Sequence, residues 1–200
     1  MQLSDVAIPT TVVAGRSLDV VRRFASPSLV NHSQRSYLWA ASYGIANGIG
    51  FDAELLYVSA MLHDIGLAEA FDNHSVPFEY AGGNVAWVFG AGAGWSDERC
   101  TRASEVIVRH MWKSVDPMVD PEGFLLEIAT SLDITGKNPQ WWSANLRAEV
   151  VECYPRLALR DEFTACFRAE AARKPQSSAA VSLEGGLAQD LAMNVLEDNR

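Results

Sequence analysis

The chain has 200 residues, 48% hydrophobic and 20% charged, with a formal net charge of −9. That length is enough for one domain with a sizeable core, and the negative balance argues against nucleic acid or an anionic membrane as a main partner. A small anionic substrate stays open, because a metal or a few local cations reverse the sign inside a pocket.

No window approaches the roughly 18 uninterrupted apolar residues of a membrane helix. Residues 1–15 lack the basic start and apolar run of a signal peptide. Cys100, Cys153 and Cys166 have no C-x-x-C spacing and read as reduced thiols of a cytoplasmic protein. Residues 28–47 then carry Leu29, Tyr37, Leu38, Ala41 and Ile45 at helical spacing, with Gly48 and Gly50 at the end. Asp52 is read as the N-cap of a helix over 53–63, with Glu54 in its first turn. That segment is apolar nearly all round (Leu55, Leu56, Val58, Ala60, Met61, Leu62), the pattern of a central helix. A polar loop over 72–77 precedes a helix over 78–88 and a glycine-rich stretch over 90–94. Ser96 or Asp97 caps a helix to about residue 112. Asp120 and Pro121, a cap with a first-position proline, open a helix to about residue 135. Two more helices follow, over 143–153 and 157–172. Residues 174–186 have the composition of a linker, and a short amphipathic helix starts at Leu187 and runs through Leu191 and Val195. No alternating strand is present. The expected fold is all-α: one helical domain over 1–173, then a linker and mobile C-terminal segment over 174–200.

Four histidines limit where chemistry can sit: His32, His63, His74 and His110. His63 and Asp64 end the most apolar helix. A buried carboxylate there needs a partner, and a divalent cation would satisfy both residues; an exposed helix end would satisfy them with water. His110 follows Val106 and Ile107 on an inward face, where a lone histidine is usually a hydrogen-bonded core residue. Glu79, with Gly82 and Gly83 after it, reads either as a surface carboxylate beside a packing patch or as a group orienting an imidazole. Arg35, one turn after His32, reads first as a structural ion-pair partner. Lys113 lies one turn after His110. His74 sits in a polar loop. Of Trp141 and Trp142, one is placed to wall a pocket.

The order Asn31-His32-Ser33-Gln34-Arg35, then His63-Asp64-Ile65-Gly66, then His110, then Leu132-Asp133-Ile134-Thr135-Gly136 resembles the HD-domain superfamily of metal-dependent hydrolases. The resemblance spans residues 30–138. It implies an HD-like helical bundle and one divalent metal held by His32, His63, Asp64 and Asp133. Zinc is the first choice for two imidazoles and two carboxylates, with iron or manganese as alternatives. Phe78-Glu79-Tyr80-Ala81-Gly82-Gly83, Arg109-His110 and residues 133–138 narrow the resemblance to the cyanamide hydratase branch, whose members add water to a nitrile-type carbon. It implies catalytic roles for His110, Asp64 and Glu79, with His110 as a metal ligand or as the proton donor. It also implies a compact, largely closed pocket with apolar and aromatic walls and few cations, and Glu79 in or just behind the metal's ligands. The partner is then a small-molecule substrate, with a homo-oligomer left open. The alternatives are an HD phosphohydrolase acting on a nucleotide or phosphomonoester, and a non-catalytic metal-stabilised binding domain.

Overall fold

A computed structural model describes residues 1–197. The described residues form ten α-helices and no strand: α1 (Val12–Phe24), α2 (Pro27–Asn47), α3 (Ala53–Leu62), α4 (Phe78–Gly92), α5 (Asp97–Arg109), α6 (Pro121–Thr135), α7 (Ala144–Cys153), α8 (Leu159–Arg173), α9 (Ser178–Glu184) and α10 (Leu187–Ala192). None is long and apolar enough to cross a membrane. Hydrogen-bonding caps set most of the starts. Thr11, Ser26, Asp52, Ser96, Asp120 and Ser143 each accept from the backbone N–H three residues on, filling a donor the helix leaves unpaired. Gly48 and Gly136 end α2 and α6 in the left-handed region, at φ 66° and 69°.

The all-round apolar segment is central, as its pattern requires. α3 is buried from Leu55 to Leu62 and packs against α1, α2, α4, α5 and α6. A second apolar cluster (Leu29, Phe78, Ile134, Phe163, Phe167, Leu187, Leu191) joins α8–α10 to α2, α4 and α6. Two helices were not legible beforehand. α1 hides a narrow buried stripe, Ala14, Ser17 and Val21, among Arg16, Asp19, Arg22 and Arg23. α9 lies inside the segment expected to be a linker. Its small residues Ala179 and Ala180 are buried, so the composition that reads as linker instead permits close helix packing. Leu187 and Leu191 of α10 are buried too, so the expected mobile segment is docked as far as the described residues run; positions 198–200 lie outside them.

One ion-pair network ties three of these helices together. The buried Asp120 accepts from Gly123 N (2.7 Å), Arg109 Nη1 (2.6 Å) and Arg102 Nη2. Glu122 accepts from Arg102 (2.6 Å) and from Asp52 N (2.8 Å), carrying the link from α6 and α5 to α3. Asp120→Ala loses a cap and leaves two partly exposed guanidinium groups short of an anion; the expected cost is about 2 kcal/mol. Burial alone would raise the Asp120 carboxyl, but Arg102 and Arg109 more than offset that and lower it. Its contribution is therefore present above the unfolded-state pKa near 4 and is lost as pH falls through that range and below. Urea unfolding of parent and variant should show the gap at pH 7 shrinking at pH 3; a gap independent of pH contradicts this assignment.

Candidate metal centre

α3 stops at Leu62, and His63 and Asp64 form the corner that follows. His63 keeps helical backbone angles, so its Nδ1 donates to the Ala60 carbonyl at 2.8 Å. His110 repeats this at the end of α5, donating Nδ1 to the Ile107 carbonyl. His32, in the middle of the buried length of α2, donates Nδ1 to Asp133 Oδ2 at 2.6 Å. These three bonds assign the tautomer: the proton sits on Nδ1, and Nε2 is left as a lone pair. The lone pairs converge. His32 Nε2 and His63 Nε2 are 3.1 Å apart, and Asp64 Oδ2 lies 3.3 Å from the first and 3.1 Å from the second. His110 Nε2 stands slightly farther out, 3.9 Å from Asp64 Oδ1.

Acceptors gathered in this way repel one another unless positive charge lies among them. Both Asp64 oxygens are buried and receive no conventional hydrogen bond, a state that costs several kcal/mol without a compensating cation. Ligands at about 2.0–2.1 Å from a tetrahedral ion sit about 3.3 Å apart, which matches the spacings seen among His32, His63 and Asp64. The residues therefore fit a divalent metal, and their mixed imidazole and carboxylate donors suit zinc, iron(II) or manganese. Without an ion, the same demand for positive charge falls on the rings. Burial works against charge on His32, yet hydrogen bonds and charge from Asp133 and Asp64 raise its pKa. Burial works against the Asp64 carboxylate too, yet His63 and His32 hold it below the usual carboxylate range. His110 goes the other way: burial and the neighbouring His63 push it down to about 3, so it is neutral at physiological pH.

Asp133, expected as the fourth ligand, sits behind His32 and not beside the other three. It accepts from Arg35 Nε and Nη2 (both 2.8 Å), from Trp39 Nε1 (2.9 Å) and from His32 Nδ1 (2.6 Å). A carboxylate has about four lone-pair positions, and these bonds use them all. The reason is register: Arg35 lies one turn after His32 on α2 and Trp39 one turn further, so a single inward stripe encloses Asp133 from α6. The structural reading of Arg35 holds, since its remaining nitrogen donates to the carbonyls of Tyr154 (2.8 Å) and Pro155 (3.2 Å). Burial raises the Asp133 carboxyl, but Arg35 and then His32 hold it well below its ordinary value.

Over 166 residues the chain is 30% identical to cyanamide hydratases DDI2 and DDI3 of Saccharomyces cerevisiae, covering 78% of this chain and 73% of each relative. The chain belongs to the cyanamide hydratase family. No family model matches it.

In this hydratase-family chain the Phe-Glu-x-x-Gly-Gly element builds the corner that holds His63 and Asp64. A Cβ on Gly82 would lie 2.9 Å from the His63 carbonyl, and one on Gly83 would lie 2.7 Å from Ser104 Oγ on α5. Gly66 is tighter still, since a Cβ there would come within 2.2 Å of the Phe78 carbonyl. These glycines let α4 press on the end of α3 and on α5, and Phe78 packs edge-on against the His110 ring at 5.8 Å. Glu79 is not beside the cluster. It is buried on the other side, near Glu170, Lys174 and Ser178, where burial raises its carboxyl. Glu79 does not take the expected position behind a metal ligand: the preceding residue, Phe78, takes the side of α4 toward His110, and Glu79 turns to α8 and α9.

The cluster forms the floor of a cavity of about 490 Å³. Ile134, Phe163, Phe167 and Leu187 supply apolar and aromatic wall, and Met111 and Val181 lie nearer the opening. Lys113 and Lys137 are its cations, and both are exposed. The cavity is less compact than expected. Of the two tryptophans singled out, neither walls it: Trp142 is buried against Trp39, with Nε1 donating to the Trp39 carbonyl at 3.0 Å, and Trp141 packs on Tyr43. His74 also lies away from the lining. Sequence reasoning passed over Glu127, Thr130 and Ser131, which do line it; with Ile134 they follow i, i+3, i+4, i+7 on α6, a stripe that the spacing alone contains. A larger open groove of about 770 Å³ between α1 and α4 offers one carboxylate, Asp19, and no imidazole.

Proposed function

We propose that this chain is an HD-type, metal-dependent hydratase that adds water to a nitrile-type carbon of a small molecule. The observation that carries the reading is the donor-free Asp64 carboxylate facing the Nε2 lone pairs of His32 and His63 at the floor of an apolar cavity. Family membership supplies the reaction class, and the order of His32, His63-Asp64 and Asp133 resembles the HD superfamily. His32, His63 and Asp64 would hold the ion, with His110 beside it and Asp133 setting the ring of His32. A divalent cation there would supply a water acidified towards about 7.

The side chains do the rest. Phe163, Phe167 and Ile134 exclude bulk water from the reacting carbon. His110, neutral and with Nε2 free, would accept a hydrogen bond from the attacking water and orient it, while the water's proton passes to the substrate nitrogen as the carbon–oxygen bond forms. The carbon gains hydroxyl, the nitrogen gains hydrogen, and tautomerisation gives an amide; from cyanamide the product is urea. A phosphate substrate fits less well. Arg35 is spent on Asp133 and Arg109 on Asp120, and the two lining lysines are solvated.

Purified protein should convert cyanamide to urea and release little phosphate from a generic phosphomonoester; rapid phosphate release with no urea would favour the phosphohydrolase. His110→Ala should lower turnover about 100-fold or more with ion content unchanged. Loss of ion in parallel would make His110 a ligand, and unchanged turnover would remove it from the reaction.

A further inference from the structure

Cyanamide has three heavy atoms, and a cavity of about 490 Å³ is in the range that holds far larger ligands. The excess volume has a direction. Glu127 and Asp133 are six residues apart on α6, about 9 Å along the axis. Asp133 backs His32 at the floor, and Glu127 lines the same cavity nearly two turns of α6 away. Thr130 and Ser131 line α6 between them, while Phe163 and Phe167 of α8, Leu187 of α10 and Ile134 beside Asp133 give the same cavity an apolar sleeve. Glu127 is half-buried in contrast to the exposed lysines of the rim. Its Oε1 accepts from Ser131 Oγ at 3.1 Å, which fixes the carboxylate in place and leaves Oε2 for another donor.

We infer that the natural substrate is an extended cyanamide or nitrile, with an apolar body in the sleeve and an amine at its far end that donates to Glu127. The inference rests on the hydratase reading and specifies its substrate class. Burial raises the Glu127 carboxyl, with Ser131 and then Lys137 opposing. Glu127 is thus a specificity-determining residue remote from the reacting carbon.

The test uses a matched pair, para-(aminomethyl)phenylcyanamide and para-tolylcyanamide, which differ only in the terminal amine, with cyanamide run alongside. The parent enzyme should favour the amine by about tenfold in kcat/KM, and the preference should vanish in Glu127→Gln. Because the ratio compares two substrates in one protein, general damage to the variant cancels. A ratio near one in the parent, or a tenfold ratio that survives E127Q, overturns the inference, and so does cyanamide turning over with higher kcat/KM than the amine compound. If cyanamide is hydrated and the pair is not, the inference fails while the hydratase reading stands. If none is hydrated, the hydratase reading fails. Calorimetric binding of the pair then decides the subsite: an amine preference lost in E127Q supports it, and equal binding overturns it.

Discussion

His63→Ala should remove the ion and the activity together. Loss of a residue that merely orients a ligand costs about 10–100-fold in affinity or activity, and loss of a ligand itself should exceed about 100-fold. The geometry gives His63 no other essential task. Its ring is fully buried, its Nδ1 bond to Ala60 is local, and its Nε2 meets only His32 and Asp64. The variant should therefore stay folded in urea unfolding while ion content falls. Retained ion with lost activity would make His63 a catalytic base; retained ion and activity would dissolve the centre.

Arg35→Ala should be the most damaging change outside the ligand set. Arg35 is fully buried, makes two bonds to Asp133 and reaches the carbonyls that follow α7. Removing it strands a buried carboxylate, at about 3–5 kcal/mol, a large part of a typical domain's stability. Arg156 softens the loss, since its Nη1 bonds the Asp133 carbonyl at 2.6 Å and lies 3.6 Å from Oδ2. A freed Asp133 also loosens His32, so ion affinity should fall about 10–100-fold. Arg35→Lys keeps the charge but not the planar fork and should fall between parent and R35A on both measures. Urea unfolding and competitive chelation read the two effects; R35A within about 1 kcal/mol of the parent would contradict the role assigned to this pair.

The parts of the fold that were legible in the sequence are those where one physical signal dominates. The cap at Asp120 with Pro121, the glycine after α2, and the all-round apolar run of α3 each mark an element with little interference. α1 and α9 were hidden because their buried faces are small, alanine and serine in place of leucine. For the site, the positions of His32, His63 and Asp64 were readable from their order. The role of Asp133 was not, because order says which residues approach and not which lone pairs are already taken. That depended on Trp39 and Arg35 facing the same way, a matter of helix phase. Glu79 failed for a related reason: Phe78, about 100° away around α4, took the side toward His110, and the glutamate turned toward α8 and α9. Lys174 belongs to the same lesson. Placed in a presumed linker, it instead reaches the carbonyls of Asn73 and Val76 and the carboxylate of Glu170, and Glu170 in turn accepts from Phe78 N at 2.9 Å to start α4.

The most direct test of a metal-dependent hydratase is urea formation from cyanamide by protein stripped with chelator and then titrated with zinc. Turnover should vanish on stripping and return in proportion to bound zinc, saturating at one ion per chain. Full turnover by protein shown to hold no ion would contradict the central claim.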